Sequence, residues 1–370
     1  MAELDRNCDS KMKRILLITE NLGSGGAERQ ICGLAVMLRR SGYACRLITY
    51  VKNQFYEPYL LQHGVDYEFV PELWNNTTRV FRAAKYVRDY KADAVISYLP
   101  SVNVTMCLAK LFFRAKLIVS ERNNNVGISF KDRMQFNVYR IADAIVPNSQ
   151  SQGKFIQNNF PFLRTKVHPI INFVDTERFS PTVEHSNNNV LRIVTVARYV
   201  PQKNILKYLE VIAKAKNCGL AIHFDWYGKI DISNEYYMQV EQKLQSLNIA
   251  DYVTLHDSRQ DVEQVYRQAD VFCLPSLYEG YPNVIVEAMS SGLPIICSNR
   301  YENPYIVKDN VNGFLFNPED INDIFDVIKR IVSLSTDERA KMGMVNRQIC
   351  LERNSEEQFL HSYLELIENV

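Results

Sequence analysis

The sequence predicts an α/β protein of two doubly wound domains in tandem, and three observations carry that prediction. The chain has 370 residues, 46% of them hydrophobic, which is enough for two sizeable cores. Short β-branched runs alternate with amphipathic stretches through the first half, the rhythm of a parallel sheet with crossover helices. The rhythm stops at a polar run without a period, 181–189, and then restarts.

In the first half the strands read as 14–19, 45–50, 94–97, 117–120 and 145–147, with a long helix over 27–40. In the second they read as 191–197, 221–227, 253–256, 271–274 and 294–297. Near the C-terminus Phe359, Leu360, Tyr363, Leu364 and Ile367 recur at helical spacing over 356–368. The division is a first domain over 1–180, a linker at 181–189, a second domain over 190–350, and a last helix in 351–370 that docks back towards the first domain. Ligands bind outside the carboxyl ends of the strands in such sheets, so two domains in tandem should place their chemistry on either side of a cleft.

Composition excludes several classes. Eight cysteines are scattered with no C-x-x-C pair and no histidine at ligand spacing, so neither a zinc site nor a disulfide framework is expected, and a reducing cytoplasm fits. The first fourteen residues are mixed in charge and the apolar run after them is too short for a signal peptide core. No uncharged apolar stretch approaches the roughly 20 residues of a membrane-spanning helix, so membrane contact must be peripheral. The net charge of +1 hides an asymmetry: residues 1–185 carry 25 Lys and Arg against 17 Asp and Glu, and the remainder carries 18 against 25. A basic half suits anionic partners, but it contains no nucleic-acid recognition motif.

The most informative segment, 275–294, reads PSLYEGYPNVIVEAMSSGLP after the strand 271–274. Gly280 permits a turn, Pro282 suits a helix start, and Gly292 with Pro294 stops a helix of about 282–291. The N–H groups of Asn283 and Val284 would open that helix unpaired, a seat for a phosphate. Glu287 lies one turn on, among Val284, Ile285, Val286, Ala288 and Met289, and a carboxylate in such company needs a partner. Adjacent ribose hydroxyls would suit it, because a carboxylate accepts two hydrogen bonds at once. The alternative is that Glu287 caps a loop or pairs with an arginine. At the end of strand 191–197, Arg198 and Lys203 flank a turn at Pro201, either as a diphosphate clamp or as a solvated turn.

Together these segments resemble the retaining glycosyltransferases of family GT4, with the GT-B fold of two Rossmann-like domains facing a cleft. The likeness rests on GSGGAER at 23–29, PNS at 147–149, INFVDTERF at 171–179, ARYVPQKN at 197–204 and ADVFCLPSLYEGYPNVIVEAMSSGLPII at 269–296. It implies transfer of a sugar from a nucleotide-sugar, a UDP-sugar by preference, to a saccharide or lipid-linked acceptor in cell-surface polysaccharide or glycolipid assembly. It makes 1–180 the acceptor side and 190–350 the donor side. Carried over by position, it implies that Glu287 holds the ribose, Arg198 and Lys203 the diphosphate, and Glu279 hydroxyls of the donor sugar. The backbone of Tyr281, Asn283 and Val284, next to Gly280, would bind sugar and phosphate oxygens, and Arg259 lies in the segment 255–261 that corresponds to the base loop. That segment lacks the family's usual glycine, which leaves the base open. Retention without a covalent intermediate, no cofactor and no metal are implied too, and the absence of any D-x-D agrees. Plain loop solvation remains the other account of Glu279.

In the first half, Gly25 and Gly26 open the first long helix as a backbone cradle, without the third glycine of a dinucleotide fingerprint. After strand 117–120 many relatives carry a histidine; here Glu121 and Arg122 stand instead, as donor-sugar or acceptor contacts or as a mutual ion pair. Arg79, Arg82, Lys85, Arg88 and Lys91 recur every third residue with Phe81, Ala84 and Val87 between, and Lys110 to Lys116 sets aromatics among cations. That surface suits anionic lipid heads on the inner face of a membrane, or is a solvated helix face. A sugar-nucleotide epimerase and a catalytically silent relative are the rival readings.

Overall fold

A computed structural model of the chain describes residues 13–74, 78–125, 127–181 and 190–369. Two compact units emerge, Met1–Ile171 with Phe359–Val370, and Asn172–Gln358.

The first unit is built on a parallel sheet of β1 (Arg14–Ile18), β2 (Ala44–Thr49), β3 (Asp66–Phe69), β4 (Ala94–Tyr98), β5 (Lys116–Glu121) and β6 (Ala144–Pro147), in the order β3-β2-β1-β4-β5-β6. Central strands such as β4 are buried on both faces, which explains their unbroken apolar runs. Leu16, Val95 and Leu117 pack against Val102 and Met106 of the helix Pro100–Ala109 and Ala84 and Val87 of the helix Arg79–Tyr90. The last helix, Glu356–Asn369, is tied to this sheet from Phe359 onward: the hydroxyls of Tyr98 and Tyr363 lie 2.9 Å apart and Lys116 Nζ donates to the Ile367 carbonyl at 2.7 Å.

The second unit repeats the topology. Its strands are β7 (Leu191–Val196), β8 (Ile222–Tyr227), β9 (Val253–His256), β10 (Val271–Leu274), β11 (Ile295–Ser298) and β12 (Gly313–Phe316), all parallel, in the order β12-β11-β10-β7-β8-β9. Ile193, Phe224 and Trp226 meet Tyr208 and Ile212 of the helix Ile205–Asn217, and Ile324 and Ile328 of the helix Ile321–Ser333.

The two strands not read from the sequence, β3 and β12, are both sheet edges. Asp-Tyr-Glu-Phe is only half-buried and carries two acids, and Gly-Phe-Leu-Phe has only three apolar residues after its glycine, a short signal. The domain boundary also moves. Residues 172–180 belong to the second unit rather than the first, because their polar groups are consumed there. Asn354 Nδ2 donates to the Asn172 carbonyl at 2.7 Å, Val174 N–H to the Asn354 carbonyl at 2.8 Å, and Arg347 Nη1 to the carbonyls of Thr176 and Phe179. Residues 351–358 group with the second unit too. The expected linker at 181–189 lies outside the described residues from 182 onward.

Candidate functional site

In each sheet the strand order reverses once, between β1 and β4 and between β7 and β10. A ligand in a doubly wound sheet sits outside the carboxyl ends at that reversal. In the second unit β7 leads into Arg198 and Lys203, and β10 into the segment 275–283. The two loops are stitched together. Leu277 N–H donates to the Gln202 carbonyl at 2.8 Å, and Gln202 Nε2 to the Tyr278 carbonyl at 2.6 Å. Asn204 takes the left-handed backbone at φ 61°, which asparagine tolerates better than most residues, and its Nδ2 donates to the carbonyls of Pro275 and Pro318. Between the loops Lys203 Nζ meets Glu279 Oε1 at 2.5 Å, with both side chains nearly buried.

Beside this pair opens a cavity of about 350 Å³. Arg198, Lys203, Lys229 and Arg259 make its lining basic, and Tyr227 and Val284 give it apolar wall. Arg198 is exposed and makes no ion pair among the described residues, whereas Arg259 is gripped by both Asp261 oxygens at 2.9 and 2.6 Å. Tyr227 stacks flat on His256, with ring centres 4.2 Å apart and planes 6° from parallel. His256 in turn lies 2.7 Å from Asp225 Oδ1, whose other oxygen accepts from Arg192 at 2.9 Å. Burial pushes the Tyr227 phenol up from its ordinary value, as does Asp225.

The helix expected at 282–291 forms over Asn283–Ser290, with Pro282 at its N-cap. Gly292, at φ 78°, closes it: Gly292 N–H donates to the Met289 carbonyl and Leu293 N–H to that of Ala288, the paired bonds of a Schellman ending. Gly280 lies in a bend. Asn283 and Val284 open the helix, where the first N–H groups lack intrahelical acceptors. Asn283 Oδ1 accepts from Asn172 Nδ2 at 2.7 Å. Tyr281 turns its ring inward, its hydroxyl accepting from Asn354 at 2.6 Å, so its backbone alone is available to a ligand; burial raises that phenol too. Glu287 is buried, and Tyr266 donates to its Oε2 at 2.9 Å. The Tyr266 phenol thus holds one carboxylate oxygen.

The remaining sequence candidates lie in the first unit. Glu121, at the end of β5, is buried and accepts hydrogen bonds from Tyr139, from Asn103 at 3.2 Å and from Gln135 at 3.2 Å. Burial pushes its carboxyl up to about 7, against the lowering effect of the Tyr139 and Asn103 hydrogen bonds. All three bonds fall on Oε1, the side chain is almost wholly buried, and none of the three donors is Arg122. The Arg122 guanidinium lies over the Tyr98 ring, 4.4 Å from its centre, and is itself nearly buried. Gly25 caps the helix Gly26–Arg40, and the Glu28 carboxylate lies against it, 2.2 Å from where a Cβ would stand. The Glu28 carboxyl beside it has its pKa raised, chiefly by burial.

Sequence reasoning missed Tyr227, Gly228 and Lys229. The signal was there, a Gly-Lys pair directly after strand 221–227, at the end of a strand where ligands collect. Gly228 is required sterically: a Cβ would stand 2.2 Å from the Ala197 carbonyl oxygen, which also accepts from Trp226 Nε1.

Two family models together match residues 24–348, Glycosyltransferase Family 4 over residues 24–178 and Glycosyl transferases group 1 over residues 177–348. The putative glycosyltransferase EpsF of Bacillus subtilis is 26% identical over 314 residues, covering 79% of this chain and 80% of EpsF. The GalNAc-alpha-(1->4)-GalNAc-alpha-(1->3)-diNAcBac-PP-undecaprenol alpha-1,4-N-acetyl-D-galactosaminyltransferase of Campylobacter jejuni is 25% identical over 351 residues, covering 90% and 92%. Among solved structures, Anabaena HepE in complex with UDP matches with a TM-score of 0.85 at 19% identity, over 97% of this chain and 100% of HepE.

Proposed function

The chain belongs to the group 1 glycosyltransferases, enzymes that use nucleotide-sugars, and on that premise we propose a retaining, metal-independent transfer from a UDP-sugar to a saccharide or lipid-linked acceptor. The reaction serves cell-surface polysaccharide or glycolipid assembly, on the cytoplasmic side, with the protein resting peripherally on anionic membrane. The observation that carries the reading is the Lys203–Glu279 pair at the strand reversal, next to a basic cavity in which Arg198 has no carboxylate partner among the described residues.

Transfer breaks the bond between the anomeric carbon and the diphosphate, so negative charge grows on the departing phosphate and positive charge on the sugar. Arg198 and Lys203 are the cations that offset the first. Glu279 fixes Lys203, and its carboxylate faces the second and the sugar hydroxyls. The opening N–H groups at Asn283 and Val284 receive phosphate oxygens. Tyr266 orients Glu287 towards the ribose hydroxyls by holding one of its oxygens. Tyr227 offers a flat face for a base, and UDP is favoured because HepE, of the same fold, binds it. The membrane-linked acceptor is favoured by the undecaprenol-linked substrate of the Campylobacter relative.

Calorimetry against UDP-, GDP-, ADP- and CMP-sugars tests the donor, with tight binding of a UDP-sugar expected. Turnover with the binding donor should persist in excess EDTA, and the product should keep the donor's anomeric configuration by NMR. A strict need for added divalent metal would overturn the cation assignment, and release of a new free sugar nucleotide would indicate epimerisation instead.

A further inference from the structure

Four large apolar side chains stand out of the core on one side of the first unit. The helix Arg79–Tyr90 buries Ala83, Ala84 and Val87 but leaves Phe81 61% exposed, although the sequence spacing groups Phe81 with Ala84 and Val87. The turn Lys110–Phe112 that follows the helix Pro100–Ala109 adds Leu111 at 67%, with Phe112 and Leu108 also exposed. The rings of Phe81 and Phe112 lie 5.2 Å apart, so the two elements present one continuous apolar ridge.

Within these two elements cations outnumber carboxylates. Residues 79–91 hold five Lys and Arg and a single acid, Asp89; residues 105–116 hold three and no acid. Asp89 is taken by Lys85, and Lys110 is taken by Asp143. Arg82 and Arg88 donate to the backbone carbonyls of Glu72 and Phe112, which hold the guanidinium groups in place without neutralising them. Arg114 is exposed, and no ion pair of it occurs among the described residues.

We infer that the ridge of Phe81, Leu108, Leu111 and Phe112 is a membrane-insertion wedge for anionic lipid, with Arg82, Arg88 and Arg114 at the level of the lipid phosphates. Aromatic and leucine side chains enter the boundary between head groups and acyl chains, and fixed guanidinium groups gain from the negative surface potential. The inference rests on the peripheral-membrane part of the function proposed above and names the surface responsible.

The test is flotation of the full chain with vesicles of phosphatidylglycerol and phosphatidylcholine that contain no glycan acceptor. The wild type should float with these vesicles, less so as salt rises, and hardly at all with phosphatidylcholine alone. The triple variant Phe81→Ser, Leu111→Ser, Phe112→Ser should lose roughly tenfold or more in partition coefficient, since binding scales with buried apolar area. Its thermal midpoint and its UDP affinity should be unchanged. Arg82→Ala with Arg114→Ala should flatten the salt dependence. Phe130→Ser with Met134→Ser, which removes two other exposed apolar side chains of the same unit, should float as the wild type does. If the wild type floats and the triple variant floats equally, the wedge is wrong while peripheral attachment stands. If the wild type never floats, both fall. If the triple variant instead abolishes self-association in ultracentrifugation, the ridge is a protein interface and the inference is overturned.

Discussion

Replacing Glu121 with glutamine should make the first unit more stable at pH 8 and nearly as stable as the wild type at pH 5. The Glu121 carboxyl ionises about 7 in the folded chain against an ordinary value of 4.5, chiefly because it is buried. Between those values the folded state keeps a proton that the unfolded chain has released. The contribution is therefore fully present below pH 4.5 and is lost as pH rises through 7. Linkage puts the loss at about 3 kcal/mol by pH 8 and less than about 1 kcal/mol at pH 5. Glutamine has the shape of the neutral acid and retains an acceptor oxygen for Tyr139, Asn103 and Gln135, while it cannot ionise. Urea unfolding of wild type and Glu121→Gln at pH 5, 6, 7 and 8 isolates this contribution, since other titrating groups cancel in the difference. A gap that opens with pH towards about 3 kcal/mol is expected. A gap of constant size, or one that opens towards low pH, would refute the assignment of a proton to this buried carboxyl.

Lys203→Met should lower kcat/KM roughly 100-fold or more, the cost of removing one preorganised charge from a developing anion, with the larger part in kcat. Steady-state kinetics on the donor identified by calorimetry checks it. Glu287→Ala should weaken UDP binding by about tenfold or more while the far-UV spectrum stays native, because one carboxylate oxygen is already tied to Tyr266; unchanged affinity contradicts the ribose role. Gly228→Ala should cost about 1–3 kcal/mol in urea unfolding and distort the cavity, since its methyl would press on the Ala197 carbonyl. Gly292→Ala should cost about 1 kcal/mol or more, because alanine resists the left-handed turn that ends the helix Asn283–Ser290.

What the sequence made legible follows from how local each signal is. The strands 191–197 and 271–274 declare themselves as apolar runs, whereas β3 carries two acids in four residues and β12 has only three apolar residues after a glycine. The helix after β10 was readable at both ends, since Pro282 and Gly292 act through their own backbone geometry. The Lys203–Glu279 contact joins residues 76 apart, and becomes visible only once β7 and β10 are neighbours. Tyr266, the partner of Glu287, sits 21 residues upstream in a helix whose sequence marks it as ordinary core. Glu121 shows the same limit: its place at a strand end suggests a ligand surface, and the three donors to its Oε1 come from the helices at 103, 135 and 139, which the local sequence does not reveal.

The stitching between 197–204 and 275–279 has a consequence for anyone who would change this enzyme's donor preference. Gln202 and Asn204 spend their amides on carbonyls of the other loop, and Lys203 its charge on Glu279. A loop transplanted alone from a relative would arrive with the wrong counterparts, leaving donors unsatisfied and a nearly buried carboxylate without its ammonium. The two segments form a single hydrogen-bonded unit, and a library that shuffles them together should yield far more folded chimeras than one that shuffles them apart.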